Sequence, residues 1–223
     1  MGTLYLVRHG QASFGADDYD KLSELGHRQC VRLGEYFRYK GVHFDEVLVG
    51  TLRRHVETLA GIAEGMQWQP QPLSWPGLNE YDGEAVIRAI HPEPLTMPDT
   101  PELVRRHFRL LRDGLSQWMA GNTQPVGMPS YADFAAGVKG ALDHVRQNHH
   151  GKHVLIVSSG GPISTAVGQV LGTTPDTTTE LNLRIRNSSV TEFAFTPKRH
   201  VLVTFNTLPH LDHPDHAPWV THT

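Results

Sequence analysis

The 223-residue sequence has little cysteine, little net charge and no long apolar run. Its single cysteine, Cys30, excludes an internal disulfide bond and is typical of a reducing compartment. A formal charge of −3 provides no general positive field for nucleic acid or anionic membranes. No segment reaches the roughly 20 apolar residues that span a bilayer, and the N-terminus lacks a signal-peptide pattern. We therefore expect a cytoplasmic protein without nucleic-acid or membrane partners.

The hydrophobic pattern predicts strands that alternate with helices. Predicted strands cover residues 3–7, 46–49, 153–157, 189–196 and 200–205, with a weaker edge strand over 68–73. Predicted helices cover 24–40, 52–66, 104–118, 131–145 and 162–171. Ser23 and Ser130 are the expected N-caps of two of these helices. The four prolines between His91 and Pro101 predict an irregular loop.

This alternation is typical of an α/β fold, a three-layer sandwich with a mostly parallel central sheet flanked by helices. We expect one domain over residues 1–223, because no repeat, low-complexity tract or long linker divides the chain. Residues 84–150 are predicted to form a helical insertion over the carboxyl ends of the strands, and 207–223 a C-terminal tail. Cys30 falls on the apolar face of the first helix, so we interpret it as a core residue.

The tripeptide Arg8-His9-Gly10 comes directly after the first strand, at the edge where parallel sheets bind ligands. A neutral imidazole can attack phosphorus and carry the phosphoryl group covalently. Arginine offers paired donors that match two phosphate oxygens. The tripeptide alone is weak evidence, since an ordinary turn at a strand end would also account for it.

Four further segments, in the right order, strengthen the case for a phosphate site. They are Leu22-Ser23-Glu24-Leu25-Gly26 with Gln29, Leu52-Arg53-Arg54 with Thr58, Leu78-Asn79-Glu80, and Val154 to Gly161. Together with Arg8-His9-Gly10 they resemble the motifs of the histidine phosphatase (phosphoglycerate-mutase-like) superfamily. The middle two resemble the family patterns S-x-L-x-R-A-x-x-T-A and L-x-E. The resemblance extends over roughly residues 3–205.

The resemblance implies a phosphomonoesterase that acts through a phosphohistidine on His9. It implies that Arg8 and Arg54 hold the phosphate oxygens and that Glu80 is the general acid and base. Two arginines supply the positive charge, so we expect no metal or other cofactor and a small phosphomonoester as substrate. Three more candidate phosphate-binding residues are Ser159, Gly160 and Gln11.

The sequence departs from the family pattern in the second motif, where V-x-H-G is usual. The chain has Ser158-Ser159-Gly160-Gly161 there, so Ser159 stands in place of the second histidine. Losing such a donor typically costs about a hundred- to a thousandfold in rate. The Ser159 hydroxyl and the start of the following helix compensate in part, which predicts a weakened site. A second departure is Gly50, which replaces the family's usual serine.

Alternative functions stay open at this point. The same fold could bind a phospho-ligand without turnover, or transfer the phosphoryl group back to product as a phosphoglycerate mutase does. A serine hydrolase built on Ser159 is disfavoured, because S-S-G-G is not the G-x-S-x-G pattern.

The C-terminal histidines also allow more than one interpretation. His210 could fold back to the site, although simple packing is favoured. The tail residues His210, Asp212, His213, Asp215, His216 and His222 could bind zinc or nickel. An exposed, poorly ordered terminus explains this tail better.

Overall fold

The computed structural model describes residues 1–13, 20–94 and 100–222. In these ranges the strands form one six-stranded sheet in the order β3-β2-β4-β1-β5-β6. The strands are β1 (Gly2–Arg8), β2 (Glu46–Val49), β3 (Leu73–Ser74), β4 (His153–Ser158), β5 (Val190–Phe195) and β6 (His200–Thr207). The pairs β3–β2, β2–β4 and β4–β1 are parallel, and β5 is antiparallel to both of its neighbours. The predicted, mostly parallel sheet is confirmed.

Helices cover both faces of this sheet. The α-helices are α1 (Glu24–Tyr39), α2 (Arg53–Met66), α3 (Gly83–Arg88), α4 (Pro101–Met119), α5 (Tyr131–Asn148), α6 (Gly160–Leu171) and α7 (Pro175–Asn182). Short 3-10 helices cover Pro76–Leu78, Pro209–Leu211 and Pro214–Trp219.

The central strands bury side chains on both faces, which divides the core into two clusters. On β4, Val154 and Ile156 pack in the cluster that includes side chains of α4, α5 and α6. Leu155 and Val157 point to the other side, where α1 and α2 provide the partners. A strand alternates its side chains between two faces, so only helices on both sides can remove all four from water. This arrangement is the expected three-layer sandwich.

Most predicted elements have the expected positions. Ser23 accepts a hydrogen bond from the backbone N–H of Gly26 and caps α1, and Ser130 caps α5 through the N–H of Asp133. Cys30 is fully buried, and burial raises the pKa of its thiol to about 12, as suits an inert core residue. The edge strand β3 is short and begins at Leu73, five residues later than the start of the predicted strand over 68–73.

Two helix boundaries differ from prediction. Helix α6 begins at Gly160, two residues earlier than expected, so that Ser159 is its N-cap residue. Pro101 is the first residue of α4 rather than the end of a loop, because Thr100 caps the helix and proline is favoured at its first position. Residues 95–99 of the predicted loop lie outside the described residues.

The helices of the predicted insertion contribute to the main core. Trp118 of α4 and Val138 of α5 are buried in the same cluster as β4, and α3 packs on α4. The C-terminal tail is anchored to α1, since Gln29 donates to the backbone oxygen of Trp219 and to Thr221. This differs from the poorly ordered terminus that was favoured for the tail. Among the described helices, none has the length and apolar character to cross a membrane.

Candidate active site

The site lies where three parallel strands end side by side. Arg8, the last residue of β1, pairs in register with Ser158 of β4, and the backbone N–H of His9 donates to the oxygen of Ser158 at 2.9 Å. The N–H of Gly50, directly after β2, donates to the oxygen of Val157. The carboxyl ends of β1, β2 and β4 therefore bring together the residues that follow each strand.

His9 is held in one orientation at the end of β1. Its Nδ1 lies 2.7 Å from the backbone oxygen of Gly10, so Nδ1 carries the hydrogen and donates it. This assignment leaves Nε2 with a free lone pair. Burial, with smaller contributions from Arg8 and Arg54, holds the pKa of His9 well below its ordinary value. The ring is thus neutral near pH 7, which is the form that can act as a nucleophile.

The two predicted arginines come from different elements. Arg54 lies in the first turn of α2, is almost fully buried, and forms an ion pair with Asp20 through Nη1 and Oδ1 at 2.6 Å. Arg8 donates through Nη1 to the backbone oxygens of Ile185 and His222. Backbone contacts therefore orient Arg8, whereas a carboxylate orients Arg54.

Glu80 follows the 3-10 helix that leads away from β3. Its Oε1 accepts a hydrogen bond from the backbone N–H of Gly161 at 3.0 Å. A Cβ at position 161 would lie 2.2 Å from that oxygen, so only glycine allows the helix to approach so closely. Burial raises the pKa of Glu80, although the nearby Arg54 and the Gly161 N–H oppose this shift.

Arg8 and Arg54 both act on His9 and Glu80, so one electrostatic environment contains all four predicted side chains: the arginines help to lower the pKa of His9 and partly offset the rise that burial causes in the pKa of Glu80. The ends of these strands thus bring a buried imidazole, two guanidinium groups and a carboxyl group into one region. The model of the histidine phosphatase superfamily, branch 1, matches residues 4–208 of this sequence. The chain belongs to the histidine phosphatase superfamily.

Similar proteins include phosphatases and a mutase. The broad-specificity phosphatase YOR283W of Saccharomyces cerevisiae is 30% identical over 84 residues, covering 34% of this chain and 36% of that protein. The chain thus spans about a third of the length of this relative. Phosphoserine phosphatase of Entamoeba histolytica, solved with 3-phosphoglyceric acid, has a TM-score of 0.66 at 22% identity, covering 95% of this chain and 100% of that chain.

A phosphoglycerate mutase of Bacillus anthracis matches this histidine phosphatase family member almost as well. Its TM-score is 0.65 at 19% identity, and the match covers 93% of this chain and 94% of that chain. At such identities the two likenesses show the fold alone. Since a hydrolase and a mutase share this fold, the reaction must be argued from the site of this family member.

The remaining predicted residues have different surroundings in the structure. Ser159 and Gly160 are buried at the start of α6, next to the helix N–H groups. Gln11 is directed toward α1, because its Oε1 accepts the hydroxyl hydrogen of Ser23 at 2.8 Å. His210 is buried and hydrogen-bonds to Ser188.

His210 is buried and is connected to the backbone of His9 through Ser188. The backbone N–H of Ser188, its partner, donates to the backbone oxygen of His9 at 3.1 Å. His210 is therefore packed in the interior, as favoured from the sequence, and it is also linked to His9 through Ser188. Within the described part of the chain, no group of three or more His, Cys, Asp or Glu side chains is arranged to hold a metal ion.

The sequence did not predict one further residue that lies close to His9. His55, the third residue of α2, is fully buried with its ring centroid 6.0 Å from that of His9. Its Nε2 lies 2.6 Å from Oγ of Ser159. The sequence contained one signal for this residue: His55 directly follows Arg54, at the position where the family pattern S-x-L-x-R-A-x-x-T-A has alanine.

Proposed function

We propose that this protein is a metal-independent phosphomonoester hydrolase that forms a phosphohistidine on His9. The observation that carries the proposal is the state of His9, which is buried, neutral and fixed by the bond from Nδ1 to the Gly10 oxygen. A bare Nε2 at the edge of the sheet, beside two arginines, is suited to attack phosphorus. We also propose the cytoplasm as its location, from the single buried thiol.

In the first step Nε2 of His9 forms a bond to phosphorus while the bond from phosphorus to the ester oxygen breaks. Arg8 and Arg54 bind the non-bridging oxygens and keep attacking and leaving atoms in line. Glu80 gives its proton to the departing alkoxide, so the alcohol leaves neutral. The raised pKa of Glu80 supports this role, since the carboxyl group must be protonated at the start.

In the second step a water molecule attacks the phosphohistidine. The Glu80 carboxylate takes a proton from the water, the bond between nitrogen and phosphorus breaks, and inorganic phosphate leaves. His9 and Glu80 thereby return to their starting protonation states. The positive charge comes from the arginines throughout, so we expect full activity in the presence of a chelator.

Hydrolysis is favoured over the two alternatives within the same fold. A purely binding protein would not need a nucleophile with a fixed tautomer together with a carboxyl group of raised pKa. The superfamily membership and the phosphatase relative agree with hydrolysis. The mutase is kept as an outcome of the test, because the fold does not separate the two reactions.

The test compares wild type with His9→Ala on a panel of phosphomonoesters that includes 3-phosphoglycerate, with chelator present. His43→Ala is the matched control, because this exposed histidine lies just before β2, at the opposite edge of the sheet. We expect release of inorganic phosphate by wild type and control, and an acid-labile phosphoryl group on His9 after a rapid quench. Isomerised phosphoglycerate without free phosphate would indicate a mutase. Binding of the esters without turnover in either variant would contradict an enzymatic role.

A further inference from the structure

Helix α2 directs a second histidine into the site. His55 is fully buried, its ring faces His9 at a centroid distance of 6.0 Å, and its Nε2 lies 2.6 Å from Oγ of Ser159. Ser159 is the N-cap residue of α6, yet its side chain makes no cap hydrogen bond to the helix. The bond to His55 therefore fixes the orientation of this hydroxyl group.

The position of His55 depends on a glycine in the neighbouring loop. A Cβ at position 50 would lie 2.2 Å from Nδ1 of His55 and 2.8 Å from its Cε1. Such distances are far below van der Waals contact, so no side chain fits at position 50 while the imidazole occupies this space. Gly50 and Ser159 both depart from the family pattern, and both lie against the imidazole of His55. Position 55 is itself a third departure, because the family pattern has alanine there.

The protonation state of His55 follows from its surroundings. Burial, with the nearby Arg54, lowers the pKa of His55 to about 3, so the neutral ring carries one N–H. Among the described residues, Nδ1 has no hydrogen-bond partner. We place the hydrogen on Nε2, because there it has an acceptor, Oγ of Ser159. The serine then accepts from the histidine and its own hydrogen is free to be donated.

We propose that His55 is a positioning residue that turns the Ser159 hydroxyl group into a hydrogen-bond donor for the phosphoryl group transferred to His9. This inference rests on the proposed function and deepens it. Ser159 lies next to the end of β1 through its neighbour Ser158, whose backbone oxygen accepts from the N–H of His9. In the family pattern an imidazole stands at position 159 and an alanine at 55. In this chain the imidazole is that of His55, and it bonds to the serine that replaces the family's histidine at position 159.

With His55 bonded to it, Ser159 should lower the rate less than the loss of a histidine donor alone would. The sequence alone predicted a weakened site, because a serine donor stood in place of a histidine. With His55 holding its oxygen, the hydroxyl group loses little freedom when phosphate binds, which is how a preorganised donor gains strength. A different pairing would make His55 the base that activates Ser159 as a nucleophile. Since no carboxylate bonds Nδ1 of His55 in the described structure, that pairing lacks its orienting acid.

The experiment measures kcat and KM with p-nitrophenyl phosphate for His55→Ala, Ser159→Ala, the double alanine variant and the exchange variant His55→Ala/Ser159→His. His43→Ala is again the control. We call the hydrogen-bonded chain from His55 through Ser159 to the phosphoryl group the relay. We expect each single variant to lower kcat about a hundredfold. The kcat of the double variant should be no lower, because both changes break the same relay. The exchange variant should recover at least about tenfold over His55→Ala, which a purely structural role does not predict.

Two further measurements keep every outcome informative. Calorimetric titration with inorganic phosphate reports binding, and a fluorophosphonate probe with mass spectrometry reports any nucleophilic serine. Ser159→Ala removes only one oxygen atom, so this variant still tests the proposal if His55→Ala does not fold. An active wild type with unchanged His55→Ala, or with unchanged Ser159→Ala, overturns this inference and leaves the hydrolase standing. A covalent adduct on Ser159 also overturns it.

The failure of the proposed function has a separate signature. A wild type that hydrolyses no ester but binds inorganic phosphate more tightly than both single variants would contradict the hydrolase and support the relay. A wild type with neither activity nor phosphate binding would overturn both proposals.

Discussion

His9 is buried and Glu80 is half-buried, and their surroundings shift the two pKa values in opposite directions. Burial disfavours the charged form of each group, so it lowers the pKa of the imidazole and raises that of the carboxyl group. Neutral His9 is present above its lowered pKa, and protonated Glu80 is present below its raised pKa. If both groups act as proposed, we expect the free enzyme to be active between the two values, and kcat/KM to fall as pH rises through the pKa of Glu80.

Glu80→Gln should separate the two steps of the reaction. For an alkyl phosphate, kcat should fall about a hundred- to ten-thousandfold, because the alkoxide needs a proton. For p-nitrophenyl phosphate the leaving group needs no proton, so the first step should persist while hydrolysis of the phosphohistidine slows. We expect a burst of about one nitrophenolate per protein in stopped-flow measurements. The alkaline fall of kcat/KM should also disappear in this variant.

Glu84→Gln is the matched control for this prediction. Glu84 is an exposed carboxylate four residues further along, paired with Arg88 on the surface of α3. Its substitution should leave kcat within twofold of wild type. Equal losses for the alkyl and nitrophenyl esters in Glu80→Gln, without a burst, would show that Glu80 positions the substrate rather than transferring protons.

Whether a single site residue could be predicted from the sequence depends on where it lies along the chain. His9 and Glu80 could be located because they follow strands or lie in family motifs. His55 could not, because its role depends on the empty space above Gly50 and on an oxygen 104 residues away in the chain. Contacts of this kind arise from packing and leave no local pattern in the sequence.

Helix α2 begins without a capping side chain of its own. Leu52 is its N-cap residue and makes no side-chain hydrogen bond, so the exposed backbone donors need another partner. Asp20 supplies one, because Oδ2 accepts from the N–H of Arg53 at 2.7 Å. Its other oxygen pairs with Arg54, so one carboxylate both caps the helix and offsets the charge of the arginine that is proposed to bind phosphate.

Asp20→Asn should strengthen phosphate binding. Asparagine keeps an oxygen for the Arg53 N–H, but it removes a negative charge that repels the substrate and offsets Arg54. At a separation of about 6 Å with the screening of bulk water, one unit charge is worth about 0.7 kcal/mol, or roughly threefold in affinity. We expect KM and the inhibition constant of inorganic phosphate to fall by this factor, with kcat nearly unchanged.

Asp82→Asn provides the comparison for this change. Asp82 also caps a helix, since its side chain accepts from the N–H of Ala85, but it pairs with Arg88 on the surface rather than with Arg54. Its KM should therefore remain that of wild type. A rise in KM for Asp20→Asn would mean that Asp20 orients Arg54 for catalysis and does not compete with phosphate.

Whole elements were predictable where the apolar pattern was long or the cap was clear. Helix α1 and strand β2 have these signals, and both lie where expected. Helices α3 and α7 are short and were not predicted, because six to eight residues give too few turns for a helical period. They form through caps at Asp82 and Thr174 and through contacts with α4, which bring distant parts of the chain together.

The C-terminal tail ties together parts of the molecule that are far apart in the sequence. Thr221 accepts a hydrogen bond from Gln29 of α1 and donates one to Asn187, which precedes β5. Asn187 in turn donates to the backbone oxygen of His9. The next residue, His222, accepts from Arg8 through its backbone oxygen. The tail is thus hydrogen-bonded to Arg8 directly and to His9 through Asn187.

Thr221→Val should loosen this connection without changing the volume of the side chain. The substitution removes two hydrogen bonds at about 1 kcal/mol each, so the free energy of unfolding should fall by about 2 kcal/mol. In a chain of this size that loss lowers Tm by roughly 4–8 °C, which differential scanning calorimetry resolves. Because Arg8 loses a fixed acceptor, KM should rise by more than kcat falls.

The same substitution on the far edge of the sheet isolates the role of the tail. Thr204→Val changes a half-buried threonine on β6, the outermost strand, where valine is equally suited to the sheet. It should leave KM unchanged. If Thr221→Val lowers Tm but its KM equals that of wild type, the tail stabilises the fold and Arg8 does not depend on it. If neither value moves, the bonds from Gln29 to Trp219 and from Asn187 to the Thr221 backbone hold the tail without the hydroxyl group.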